Sequence, residues 1–420
     1  MACLEIFGGK SLYGELTVQG SKNAVLPILA ACLLCGEKVV LKNCPKIYDV
    51  TCMESLLEKL GAGIFHKNHV SVIDCKEIFQ WKVEEQLAQS MRASVLLAAP
   101  LLARCGQVRL PFPGGCVIGA RPIDLHMKAL EKMQVDFTPQ GTFLHGTTKG
   151  LQGAHIKLPF PSVGTTEQIV LAAVLAKGDT IVENAAREPE VYALCDLLSQ
   201  MGGKITGAGS SHIRIEGVKE LKGLTYTVPS DRIVAATYIA AVGACTGELH
   251  LSLDCMGQMK TVVQYMKKMG ITLESDNGNV WCRAKTSVRN IEGICTDVYP
   301  GFPTDMQSIF LALMATGDGV GSIKENIFES RFACVEELNK MGADISIDGR
   351  NATVTGRKKT RGARVVAKDL RGGAALMVAG LAAQGETVIQ GMEYLERGYE
   401  ELVPNLSRLG AKVRRIEKEE

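Results

Sequence analysis

The residue types best suited to chemistry gather in Leu110-Pro111-Phe112-Pro113-Gly114-Gly115-Cys116-Val117-Ile118-Gly119-Ala120-Arg121-Pro122-Ile123-Asp124-Leu125. Proline lacks the N–H that regular elements need and glycine relaxes φ, so the first half reads as a loop. Residues 123–130 read as the start of a helix. Cys116 differs from the other cysteines because it lies in a Gly/Pro loop rather than an apolar run. An exposed thiol near Arg121 ionises more easily and can serve as nucleophile or general acid; an inert surface cysteine is the alternative. His126 falls on the predicted helix and offers no protease-like thiol–imidazole pair. The expectation is a loop that holds a reactive cysteine and a phosphate-binding arginine over a cleft between two domains.

Cations stand at other turns. Lys22, in Ser21-Lys22-Asn23-Ala24, opens a helix where backbone N–H groups favour an anion. Arg92 sits similarly, and Arg371 and Arg397 stand in Asp369-Leu370-Arg371-Gly372-Gly373 and Glu396-Arg397-Gly398. Each alone reads as a surface charge; several at equivalent repeat positions suggest convergence on a polyanion. Ser162-Val163-Gly164-Thr165-Thr166 feeds a helix and suits a phosphate or a plain cap. Asp305, in Pro303-Thr304-Asp305-Met306, reads as a general base toward a hydroxyl or as another cap. Glu188 reads as a substrate-facing carboxylate at a strand exit. No GxGxxG follows a strand and no GxxxxGK[ST] occurs, which disfavours nicotinamide cofactors and ATP. Cys32 and Cys35 stand alone, and His145, His155 and His212 lack ligand spacing, so no metal is expected.

The elements that must position these residues repeat. Amphipathic helices end at Gly61, Gln134, Gly202, Gly270, Gly342 and Gly410, spaced by 73, 68, 68, 72 and 68 residues. Glycine there fits a left-handed C-cap, with Gln134 standing in once. A second set of turns, at Gly36, Gly106, Gly178, Gly247, Gly319 and Gly385, each follows a small-residue helix and precedes a short β-branched strand. Those helices, near 25–35, 92–103, 165–176, 231–244, 305–315 and 373–383, are apolar almost all round, which favours helices inside and sheets outside over ordinary layering. Six units suggest three in each of two domains: 20–229, carrying the Cys116 loop, and 1–19 with 230–420, carrying Asp305, Arg371 and Arg397.

Composition sets the limits. The chain's 420 residues are too many for one ordinary domain, and 46% hydrophobic content is ample core. A net charge of +2 and only 5% aromatics argue against a nucleic-acid surface. The longest apolar run, residues 25–35, is too short for a membrane span. Fourteen cysteines mostly inside apolar runs, with no secretory signal, suggest buried free thiols and a reducing cytoplasm.

Taken together, Ser21-Lys22-Asn23-Ala24, the 111–121 loop with Cys116, Arg121-Pro122-Ile123-Asp124, Asn184-Ala185-Ala186-Arg187-Glu188-Pro189, Pro303-Thr304-Asp305 and Asp369-Leu370-Arg371-Gly372-Gly373 are highly specific. Over essentially its whole length the chain resembles the enolpyruvyl transferases, in the branch acting on UDP-N-acetylglucosamine. The resemblance implies an α/β fold of two inside-out α/β barrels, each of three βαβαββ units with pseudo-threefold symmetry. It implies transfer of the enolpyruvyl group of phosphoenolpyruvate to the 3-hydroxyl of UDP-N-acetylglucosamine, the first committed step of peptidoglycan synthesis, without metal or organic cofactor. Carried over, Lys22, Arg121 and Arg397 would clamp phosphoenolpyruvate, with Arg92, Arg331 and Arg371 assisting. Asn23 would meet the sugar nucleotide, and Glu188 and Asp369 would be further substrate-binding residues. Arg121, Pro122, Ile123, Asp124 and Leu125, with Ser162, Val163 and Gly164, would bind uridine diphosphate. Thr304, Asp305 and Ile327 would hold the N-acetylglucosamine. Asp305 would accept the hydroxyl proton, and Cys116 would deliver one to C3 or assist product release; it would also be the thiol alkylated by fosfomycin. The family often has a tryptophan near the Arg92 position, absent here. Alternatives are transfer to shikimate 3-phosphate, or a non-enzymatic binding scaffold.

Overall fold

The computed structural model describes residues 2–112, 123–356 and 360–417. They form two compact units, residues 20–112 with 123–229 (the first unit) and residues 2–19 with 230–417 (the second). Each has its own hydrophobic core.

Six sheets occur among the described residues, three per unit. Five share one plan: a parallel pair at one edge, then two antiparallel steps. In the sixth, formed by Gln107–Pro111, Phe143–Thr147 and Asp136–Gln140, the parallel edge shrinks to a bridge between Lys82 and Arg109. The last sheet of the second unit takes its third strand, Ala2–Phe7, from the start of the chain, set between Glu386–Gln390 and Lys412–Glu417. Burial alternates along most strands, as in Asp179–Glu183, so they turn one face to the core and one to water, whereas Ala2–Phe7 has its four middle residues all buried.

The helices that read as apolar all round are inside. Gln307–Ala315 is buried at every residue and packs with Arg232–Cys245 and Leu370–Ala382. In the first unit, Lys22–Cys32 and Val163–Ala173 both pack on the segment Arg92–Leu97. The chain thus folds as two similar α/β units of three repeats each, with helices inside and sheets outside.

One inner helix differs from expectation. Residues 92–103 are not one α-helix; Arg92–Leu97 winds as a 3-10 helix and an α-helix covers Ala98–Cys105. The restart at Ala98 leaves Pro100 in a first turn, where its missing N–H costs no helical hydrogen bond. The repeat turns hold. Gln134 adopts φ 69°, in the left-handed region its glycine counterparts occupy. At Gly247, φ is 127° and a Cβ would fall 2.0 Å from the Leu12 carbonyl oxygen, so no other residue fits.

The described cysteines are free thiols. Burial pushes Cys75, Cys195, Cys282 and Cys334 up to about 12, so they stay neutral and pack as small apolar groups.

Candidate active site

Asp305 anchors a charge cluster in the second unit. Its segment makes one 3-10 turn, Thr304–Met306, before the buried helix Gln307–Ala315. Asp305 caps nothing: its Oδ2 accepts from Arg371 Nη2 at 2.9 Å and its Oδ1 accepts from Arg331 Nη2. Arg331 Nε also donates to the Thr304 carbonyl at 3.3 Å. Arg371 lies in the first turn of Leu370–Ala382, which Asp369 caps by accepting from the Arg371 and Gly372 amides at 3.0 Å. The arginine side chains are 4% and 6% exposed and that of Asp305 is 27%, so the cluster opens toward solvent through the carboxylate. Burial opposes charge on Asp305, but Arg371 and Arg331, with Arg232 behind them, outweigh it and hold the carboxyl well below its ordinary range. It is therefore ionised, and a weak base while both arginines hold it.

Thr304 and Ile327 meet through Glu325, which the sequence reading missed. Glu325 is fully buried; it accepts from Thr304 Oγ1 at 3.0 Å and from the Ile327 and Phe328 amides at 2.8 and 3.0 Å. Nothing in Lys324-Glu325-Asn326 separates it from a solvated charge. Arg397 is half-buried just after Met392–Glu396. The turn beyond it is tied by Gln19, which donates to the Gly398 carbonyl at 3.1 Å and accepts from the Glu400 amide at 2.7 Å.

In the first unit, Lys22 Nζ lies 2.6 Å from Asp49 Oδ2, both largely buried. Lys22 is thus not the surface charge that it reads as alone. Asp49, unremarked in the sequence, sits in the first turn of Tyr48–Leu60, where an acid suits the helix dipole. Ser21 caps the Lys22–Cys32 helix, and Asn23 is half-buried in its first turn. Arg92 is half-buried at the head of its 3-10 segment. Ser162 caps Val163–Ala173 by accepting from the Thr165 amide. Gly164 faces His126, whose Cε1 would lie 3.1 Å from an added Cβ. Ile123 and Leu125 are half-buried, and exposed Asp124 pairs with Lys128 at 3.3 Å. Glu188 precedes Pro189–Gln200, and Glu167 and Glu190 are buried nearby. Burial first, then Glu190 and Glu188, push the Glu167 carboxyl well above its ordinary range. Cys116, Arg121 and Pro122 lie outside the described residues. No helix among the described residues is long and apolar enough to cross a membrane.

Residues 6–406 match the family profile of EPSP synthase (3-phosphoshikimate 1-carboxyvinyltransferase). The chain is 46% identical over 415 residues to a UDP-N-acetylglucosamine 1-carboxyvinyltransferase of Oleidesulfovibrio alaskensis, covering 98% of this chain and 99% of that one. It is 42% identical over 416 residues to UDP-N-acetylglucosamine 1-carboxyvinyltransferase 2 of Caldanaerobacter subterraneus, covering 99% and 100%. Among solved structures, the enolpyruvyl transferase NikO from Streptomyces tendae superposes with a TM-score of 0.89 at 22% identity, covering 99% and 98%. An EPSP synthase from Acinetobacter baumannii gives 0.78 at 20% identity, covering 99% and 100%.

Proposed function

The chain belongs to the EPSP synthase family, and from that premise we propose that it transfers the enolpyruvyl group of phosphoenolpyruvate to the 3-hydroxyl of UDP-N-acetylglucosamine, releasing phosphate. The 46% identity to a relative named for that acceptor, sustained across 415 residues, carries the choice.

The reaction is addition followed by elimination. The hydroxyl oxygen bonds to C2 of phosphoenolpyruvate while C3 takes a proton, giving a ketal that still carries phosphate. C3 then returns a proton and the bond from C2 to the phosphate oxygen breaks. In this reading Asp305 takes the hydroxyl proton and Cys116 supplies the proton at C3. Lys22, Arg121, Arg331, Arg371 and Arg397 balance the carboxylate and phosphate charges. The pairing of Asp305 with Arg331 and Arg371 adds a condition. An anionic substrate that draws either guanidinium to itself makes Asp305 more basic, so phosphoenolpyruvate arms the base before the hydroxyl is deprotonated.

The test is phosphate release from phosphoenolpyruvate with UDP-N-acetylglucosamine, and separately with shikimate 3-phosphate. Release with the first acceptor alone is expected. Release with the second alone would replace the acceptor, and release with neither would remove the reading. Fosfomycin is expected to add its whole mass to the intact protein and to leave Cys116→Ser unlabelled.

A further inference from the structure

Cys44, Glu54, His66 and Ser71 take no part in the reaction just described. They come from the first repeat of the first unit. Cys44 follows the strand Val39–Lys42, Glu54 lies in the helix Tyr48–Leu60, and His66 and Ser71 are cross-strand partners in the hairpin Gly63–Lys67 and Val70–Asp74. Their polar atoms converge. Glu54 Oε1 lies 3.1 Å from His66 Nδ1 and 2.6 Å from Ser71 Oγ. Ser71 Oγ lies 2.8 Å from His66 Nδ1 and 3.5 Å from Cys44 Sγ. One ligand atom from each of Cys44, Glu54 and His66 falls within 4.8 Å of the other two.

Three features distinguish this cluster from a solvated polar patch. Cys44 and Ser71 are fully buried and Glu54 nearly so, while the His66 side chain is 22% exposed, which leaves a way in past the imidazole. The frame is fixed by the hairpin register and by the Cys44 amide, which donates to the His69 carbonyl at 2.9 Å. The spacing is close to that of a small cation's ligands: bonds of about 2.0–2.3 Å to a tetrahedral zinc place them roughly 3.3–3.8 Å apart, against 3.1 Å for Glu54 and His66 and at most 4.8 Å for the pairs with Cys44, so closing on the ion takes only small side-chain shifts. Thiolate, imidazole and carboxylate together are a zinc-type donor set, and the two anions neutralise a divalent ion.

We propose that Cys44, Glu54 and His66 form a zinc site, with Ser71 hydrogen-bonded to the Glu54 carboxylate and water as the fourth ligand. On binding, the Cys44 thiol gives its proton to solvent, His66 binds as neutral imidazole through Nδ1, and Glu54 binds through Oε1. No electron is transferred. The ligands are 10 and 12 residues apart in the chain, so no short spacing motif announces them. The site ties the Tyr48–Leu60 helix to the hairpin, and that same helix carries Asp49, the partner of Lys22. Zinc would steady that pair from a distance.

The experiment uses the full chain stripped with a chelator and titrated with Co²⁺, then Zn²⁺. A tetrahedral thiolate site gives Co²⁺ a near-ultraviolet charge-transfer band and intense visible bands, both removed by Zn²⁺. One equivalent is expected in the parent and in Cys116→Ser. The charge-transfer band is expected to vanish in Cys44→Ser, and affinity to fall at least ~10-fold in Glu54→Gln and His66→Gln. No band in the parent, a band that survives Cys44→Ser, or one lost in Cys116→Ser would each overturn the proposal. If Cys44→Ser does not fold, His66→Gln at the partly exposed edge decides. Zn²⁺ is expected to raise the melting temperature of the parent more than that of the variant at the same concentration; an equal rise in both would overturn the site. Phosphate release tests the enzymatic reading separately, so either can fail alone.

Discussion

Asp305 and Glu167 are both carboxyls set among charges, and they respond to pH in opposite senses. Asp305 is held ionised by Arg371 and Arg331 against the cost of burial, so its folded pKa lies below the unfolded value of about 3.9. Its stabilising contribution is complete above about pH 4 and is lost as the pH falls further. Asp305→Asn leaves both arginines facing a neutral group, and we expect a loss of about 1–3 kcal/mol at neutral pH, discounted for the partly exposed carboxylate. Urea unfolding should show the gap to the parent narrowing below about pH 4; a gap independent of pH would contradict the pairing. The same substitution is expected to lower kcat by about 10²–10⁴ in the phosphate-release assay. Glu167 is raised by burial, Glu190 and Glu188, so above its unfolded value of about 4.3 the parent loses stability as pH rises. Glu167→Gln should therefore exceed the parent by a margin that grows toward alkaline pH, and a constant margin would count against it. Motifs made Asp305 and Arg371 legible in the sequence. Asp49, Glu325 and Glu167 were not, because their partners come from other elements and a lone acid looks like any solvated charge.

At the scale of elements, the repeat is written in its turns. A glycine closing five of the six amphipathic helices is visible in the sequence because only that residue enters the left-handed region freely. Gln134 occupies the same conformation at φ 69° and carries its strain. Gln134→Gly is expected to stabilise the first unit by about 1 kcal/mol, read as a rise in melting temperature; a fall would mean that the Gln134 side chain contributes more than its backbone costs. Inner helices were equally legible, because an apolar surface all round admits only burial. Two things were hidden. The segment at residues 92–105 divides into a 3-10 and an α-helical piece at a point that composition alone does not fix. The parallel edge strands, such as Ile294–Cys295 and Thr225–Thr227, are too short to show any period.

Across the whole molecule, strand order depends on a segment the repeat count leaves over. Ala2–Phe7 is an interior strand, hydrogen-bonded on both sides. Deleting residues 2–7 would leave two unpaired edges and uncover the core around Leu4 and Ile6, both fully buried. Calorimetry of that truncation is expected to show the second unit without its cooperative transition, and an unchanged transition would show the strand to be dispensable. In that same sheet Ala2 lies directly opposite Glu417. Between these two residues the backbone therefore comes back to within one strand spacing of itself. Joining Glu417 to Ala2 through a few linker residues and opening the chain at the Asn277-Gly278 turn would give a circularly permuted second unit with every strand still beside its present neighbours.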